Sequence, residues 1–259
     1  MSLLDETITL TFCESGENHV GMEMLGQKAP PGQGFSLENL LRVKSLFQSK
    51  QFPTELYRLS NFIDKEVDEA YVLVIRDGVN YFLKDSDVLV RELTGFDWDR
   101  KYWCNRRNRV LNKHARANVC FGSTSCEPDY ENKKGRIVGF NQVPNVNLIK
   151  QGLKNLLKDK GDNLVCEGNR YFDLKKCGIG YHGDSERRRV VGVRIGKPMK
   201  IKWSWFYQYK SQGIPLELTL NNNDIYFMSE KAVGTDWKKR SIYTLRHAAG
   251  SPKYLTLTK

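Results

Sequence analysis

The sequence predicts an α+β chain with two parts. Residues 1–99 read as a smaller α+β region, and residues 100–259 read as an antiparallel jelly roll or barrel with helices packed against it. Three observations predict this. Short alternating segments follow one another from about residue 180 to residue 258, separated by turns and with no helical stretch between them. Two other stretches, 36–48 and 144–157, carry apolar residues at helical spacing. A chain of 259 residues has ample length to bury a core in one large or two modest domains.

Taken in order, residues 7–13 alternate as a strand does, and 26–34, with Pro30-Pro31, form a loop. Ser36 can cap a helix in which Leu37, Leu40, Leu41, Val43 and Leu46-Phe47 recur at near-helical spacing. Asp77-Gly78, flanked by the apolar runs 70–76 and 79–83, is a strong hairpin signal, and 86–93 fit a short helix. From Arg100 to Arg116 cations interleave with Tyr102, Trp103 and His114. Two readings stand side by side: a nucleic-acid groove, in which cations meet phosphates and aromatics stack, or a solvated helix face with Trp103 and Leu111 in the core. Residues 121–138 read as loop, and 144–157 as an amphipathic helix with Val146, Ile149, Leu153 and Leu156-Leu157 on one stripe.

Strands are then expected at 190–195 and 201–209, divided by a turn at Gly196-Lys197-Pro198. A hairpin is expected from 216–220 and 225–228 about Asn221-Asn222-Asn223-Asp224, and last strands at 242–247 and 254–258. Trp203, Trp205, Tyr207 and Tyr209 share one strand face, either as core or as a stacking surface for a substrate base.

The totals limit the class. Six cysteines without CxxC pairing make neither a zinc site nor a disulfide framework, which predicts a reducing, intracellular compartment (cytoplasm or nucleus). No apolar run approaches the length of a membrane span, and the start of the chain lacks the layout of a signal peptide, so no membrane partner is expected. The net charge is +11, and residues 185–259 hold 15 Lys and Arg against five Asp and Glu, so most of the excess lies in this last segment. A positive rim there would attract a polyanion. Arg187-Arg188-Arg189 and Lys238-Lys239-Arg240 are the expected substrate-binding cations.

The chemistry centres on Gly180-Tyr181-His182-Gly183-Asp184. A histidine and a carboxylate two residues apart on an extended chain point to one face. His247, on a late strand, can join them. Two histidines and one carboxylate on one side of a metal are the ligand set of non-haem iron(II) oxygenases, which leaves positions open for co-substrate and oxygen. His19, in a polar loop, has no evident partner.

These residues, with Asn169-Arg170-Tyr171 ahead of them and the tail Lys253-Tyr254-Leu255-Thr256-Leu257-Thr258-Lys259 behind, resemble the AlkB-like iron(II) and 2-oxoglutarate-dependent dioxygenases over roughly residues 140–259. The resemblance implies a double-stranded β-helix in which His182, Asp184 and His247 hold Fe(II). It implies that 2-oxoglutarate is met by Asn169, Tyr171 and the tail cations Lys253 and Lys259, which stand where the family has arginines. It further implies consumption of O2 and hydroxylation or demethylation of a nucleic acid. A hydroxylase of protein or small molecules, or an inactive nucleic-acid-binding protein, would carry the same features.

Overall fold

The computed structural model describes residues 5–257. The N-terminal strand forms as predicted, β1 (Thr7–Cys13), with Ile8, Leu10 and Phe12 on one face and Thr9 and Thr11 on the other. The hairpin β2 (Ser15–Glu17) and β3 (Met24–Gly26) follows. Helix α1 (Leu37–Ser49) starts at Ser36, whose hydroxyl accepts from the Asn39 N–H while the Asn39 side chain accepts from the Ser36 N–H, satisfying two free helix donors. Then come β4 (Thr54–Arg58), β5 (Tyr71–Ile75), α2 (Asp87–Thr94), β6 (Lys101–Cys104), β7 (Arg109–Asn112), β8 (Ala117–Gly122), β9 (Ile137–Gly139) and α3 (Pro144–Leu157). Pro144 opens α3 at a position where its missing N–H costs no helical bond. The remainder is β10 (Val165–Tyr171), β11 (Gly178–His182), β12 (Val190–Gly196), β13 (Met199–Tyr207), β14 (Lys210–Leu220), β15 (Ile225–Met228), α4 (Glu230–Val233), β16 (Thr244–Gly250) and α5 (Pro252–Leu255).

The protein is α+β, and its strands dominate. Eight form one sheet in the order β4-β5-β15-β12-β1-β10-β8-β9, antiparallel except for β8 and β9. Four form a second sheet, β11-β16-β13-β14. Leu40, Val43 and Phe47 of α1, with Leu93 and Leu153 from α2 and α3, cover one face of the large sheet through Ile8, Leu10, Val191 and Val193. Its other face meets the four-stranded sheet: Val72, Val74 and Met228 pack with Ile201, Trp203, Trp205 and Leu245. Both faces of the large sheet are therefore covered, which is why β12, Val-Val-Gly-Val-Arg-Ile-Gly, is buried at every position and shows no polar alternation.

Several expectations change. Residues 1–99 do not form a separate region, because β1, β4 and β5 pair with β10, β12 and β15 in one sheet. Asp77 takes a left-handed conformation, yet the hairpin expected about Asp77-Gly78 does not form; residues 78–81 make a 3-10 turn. Both edges of β5 are already taken, by β4 and β15, so a strand over 79–83 has nothing to pair with. The segments 210–220 and 225–228 do not pair with each other either: β14 pairs with β13, while β15 crosses to the large sheet. Asn222 accepts from the Gly196 N–H and Asp224 pairs with Arg76, pinning that crossing. Residues 100–116 form the β6–β7 hairpin, not a helix, and the tail folds as α5 where a last strand was expected. Ser251 and Pro252 supply the helix start.

Because β1 is a central strand, trimming its core face should cost as much as trimming any core strand. Leu10→Ala should destabilise the protein by about 2–5 kcal/mol in urea unfolding; a loss below about 0.5 kcal/mol, the scale of surface substitutions, would mean that β1 is a peripheral extension.

Candidate metal centre

Register brings the two histidines together. β11 and β16 are antiparallel neighbours, and His182 lies directly opposite His247 after a register shift between Ile179 and His182. Their ring centroids are 4.4 Å apart. Beyond the end of β11 the chain turns at Gly183, where a Cβ would stand 2.1 Å from the Gly234 carbonyl oxygen; only glycine permits that approach. The turn is secured by the Asp184 N–H donating to Val233 O at 3.1 Å. Asp184 Oδ1 then lies 3.5 Å from His182 Nε2 and 3.7 Å from His247 Nε2. One ligand atom from each of the three residues falls within 4.8 Å of the other two, a group that could hold a metal ion.

Local contacts prepare these groups as ligands. His182 Nδ1 donates to Gly180 O at 2.8 Å, which leaves the Nε2 lone pair aimed at Asp184. Burial resists ionisation of Asp184, but Arg187, joined at low pH by the protonated His247 and His182 rings, outweighs it and holds the carboxyl well below the usual carboxylate range. His247 is brought down to about 3 by burial, His182 and Arg187, against the pull of Asp184, so its ring is neutral at physiological pH. Its buried Nδ1 has no partner.

Two spaces meet at this cluster. The inner cavity lies between the sheets, lined by His182, Asp184 and His247 together with Asn169, Tyr171 and Arg194. The outer cleft, about 430 Å3, opens to solvent past Glu17, His19, Val20, Arg116, Trp237 and Lys238.

Of the residues singled out in the sequence, Asn169 and Tyr171 line the inner cavity with the triad. Asn169 Oδ1 accepts from Arg116 Nε at 2.7 Å and from Asn118 Nδ2 at 2.6 Å. Lys253 sits in α5, exposed, with its ammonium over the Tyr254 ring, and does not line the cavity. Lys259 lies outside the described residues. The three arginines that follow Asp184 are structural pairs, not a free rim. Arg187 is buried and meets Glu167 at 2.6 Å and Asp184 at 3.7 Å, Arg188 meets Glu230 at 2.7 Å, and Arg189 donates to Gln33 O and Lys160 O. Lys238 lines the outer cleft, whereas Lys239 borders a different depression beside α4 and Arg240 packs over Tyr209. Trp203 and Trp205 are core; Tyr209 is 43% exposed.

Sequence reasoning missed Arg194. It is 1% exposed on β12 and lines the inner cavity, yet among the described residues its only side-chain hydrogen bond is a long one from Nη1 to the Met199 sulfur at 4.0 Å, and Nε has no partner. Burial pulls its pKa below the ordinary guanidinium value, opposed by Tyr226, Tyr171 and Asp224, but a guanidinium stays charged in a protein. A buried cation without an anion is costly, and an anionic ligand would relieve that cost. The legible signal was a lone arginine in an otherwise apolar strand, in the same two-residue phase as Val190, which also lines the cavity.

Fold and cluster together define a protein of two packed, mostly antiparallel sheets with a candidate mononuclear metal centre between them. No family model matches the chain. It is similar to the uncharacterized protein R156 of Acanthamoeba polyphaga mimivirus, with 45% identity over 260 residues that cover 98% of this chain and 100% of the relative. The chain belongs to the family of that viral protein.

The mouth of the cleft carries its own pH dependence. Burial, with Glu186 and Glu167, pushes Glu17 up to about 7 against the hydrogen bond from the Gly21 N–H. The folded state thus holds this proton more tightly than the unfolded chain. The penalty for ionising Glu17 is absent below the ordinary carboxyl range, grows as pH rises toward 7, and is constant above it. Glu17→Gln should raise the thermal midpoint at pH 8 and leave it nearly unchanged at pH 4; an equal shift at both would remove burial of the charge as the cause.

Proposed function

We propose that this protein is an iron(II)- and 2-oxoglutarate-dependent dioxygenase, AlkB-like and built on a jelly roll, that oxidises a nucleic acid. The observation that carries the reading is Arg194: a buried guanidinium that forms no ion pair among the described residues, in the same cavity as two imidazoles and a carboxylate whose ligand atoms lie within 4.8 Å of one another. The donor set fits. Two neutral imidazole nitrogens and one carboxylate suit Fe(II) and leave room in its coordination sphere for a chelating 2-oxo acid and oxygen. Arg194 is assigned to the far carboxylate of that acid, because a planar fork can make two parallel hydrogen bonds that a lysine cannot. The resemblance had assigned this task to Lys253 and Lys259; Arg194 replaces them in the proposal.

Bound there, Fe(II) and 2-oxoglutarate supply oxidation of a C–H bond by O2, coupled to decarboxylation of the co-substrate to succinate. The chain's own residues do the rest. Arg187 holds Asp184 ionised and is itself fixed by Glu167. Gly180 O fixes the tautomer of His182. Tyr171 and Tyr226 wall the inner cavity beside Arg194 and keep water from the buried charge. The outer cleft leads substrate to the exposed side of the cluster.

Succinate release in air, dependent on added Fe(II), is the test. His182→Ala and Asp184→Ala should abolish it. Arg194→Met should raise the KM for 2-oxoglutarate about 100-fold, the scale of leaving one half of a buried charge pair unmet, with Fe(II) affinity changed less than about threefold. Lys253→Met should match the wild type. Equal loss in Arg194→Met and Lys253→Met, or no succinate under any condition, would overturn the assignment.

A further inference from the structure

One surface beside the metal centre is not accounted for by the centre itself. Residues 100–116 carry seven Lys and Arg and no Asp or Glu. Arg116 and Lys113 are used inside the protein, on Asn169 and Asn18, and Arg100 lies over the Phe172 ring. The other four, Lys101, Arg106, Arg107 and Arg109, are exposed on the β6–β7 hairpin, and among the described residues none forms an ion pair. Four like charges on one hairpin repel one another, and an anion lying against them would relieve that repulsion.

The hairpin is not remote. Tyr102 of β6 packs against His19 with centroids 3.8 Å apart and the rings tilted by 45°, and His19 lines the outer cleft. Asn105 at its tip lies against Gly21 of the loop that carries Val20, a residue 77% exposed at the same cleft. Another wall of the cleft offers Trp237, flanked by the Lys238 ammonium at 5.6 Å and the Arg246 guanidinium at 5.2 Å from the ring centroid. The cleft itself carries Glu17 and Glu186 beside Arg116 and Lys238, whereas the exposed charges of the hairpin are cations alone, so a polyanion's backbone is favoured along the rim while a neutral group can enter.

We propose that the β6–β7 hairpin is an arm that holds the phosphates of a single-stranded nucleic acid along the rim of the outer cleft, presenting a base toward Trp237 and the metal centre. Cations that track a backbone beside aromatic faces are how single strands are held without sequence preference. A single strand fits better than a duplex because the ligand groups are recessed, with His247 and Asp184 side chains only 12% exposed, and a paired base would first have to be flipped out. This deepens the reading of the site as an oxygenase, but binding to the arm needs neither metal nor turnover.

The experiment is fluorescence anisotropy of a labelled 12-nucleotide single strand, DNA and RNA in turn, with the full chain over a range of salt. The same-sequence duplex and poly-glutamate serve as competitors. The variant R106E/R107E/R109E alters only exposed side chains, so its circular dichroism and thermal midpoint should match the wild type. The account expects its affinity at 100 mM salt to fall at least about 30-fold and its log–log salt slope to become shallower by about 2, since each phosphate contact on a single strand contributes about 0.7. His182→Ala should bind the strand as the wild type does. Binding of the triple variant within twofold of wild type would overturn the proposal, as would competition by poly-glutamate equal to that by the single strand. Strand binding lost in the triple variant, with no succinate released by the wild type, would support the arm while removing the oxygenase. Succinate release without strand binding would do the reverse.

Discussion

The pairing of β11 with β16 is the constraint from which the rest of the site follows. An antiparallel register places His182 across from His247, and a glycine pressed against a neighbouring carbonyl turns Asp184 back toward both rings. A slip of one residue on either strand would send one imidazole to the opposite face of the sheet. The register is protected by burial: β16 also pairs with β13, whose Trp203 and Trp205 fill the space between the two sheets. The candidate metal ligands are thus held by the same contacts that hold the core.

The large sheet contributes the complementary half. β1, from the start of the chain, lies between β10 and β12, which come from its second half. Thr9 and Thr11 of β1, Tyr171 of β10 and Arg194 of β12 consequently face the histidines across the inner cavity. Neighbouring residues of opposite phase, Ile8, Leu10 and Val193, face the helices. Strand periodicity therefore divides one sheet between a hydrophobic core and a polar chamber. The buried guanidinium in that chamber is tolerable because the surrounding apolar burial on both faces is large.

Much of this was legible in the sequence, and the failures have physical causes. The helices at 37–49 and 144–157 and the strand at 7–13 follow from local periodicity, and they form where periodicity puts them. His182, Asp184 and His247 were readable as a group because the first two are close in sequence and the third lies on a neighbouring strand, although it is the turn at Gly183 and not strand spacing that aims Asp184 at the rings. Long-range pairing was not readable. Nothing local shows that residues 7–13 occupy the middle of a sheet otherwise made largely of later strands, nor that 225–228 cross to it. Arg194 was passed over because a strand buried on both faces shows no alternation to reveal which way its one charge points. The tail misled because lysines six apart fit a strand, whereas Ser251-Pro252 starts a helix.

A crystal structure of the protein grown anaerobically with Mn(II), as a redox-inert stand-in for Fe(II), and 2-oxoglutarate tests the central claim most directly. Anomalous scattering should place one metal ion bonded to His182 Nε2, His247 Nε2 and an Asp184 oxygen, with the dicarboxylate chelating it and its far carboxylate on the Arg194 guanidinium. A metal ion bound elsewhere, or an Arg194 fork left without the co-substrate's carboxylate, would contradict the account.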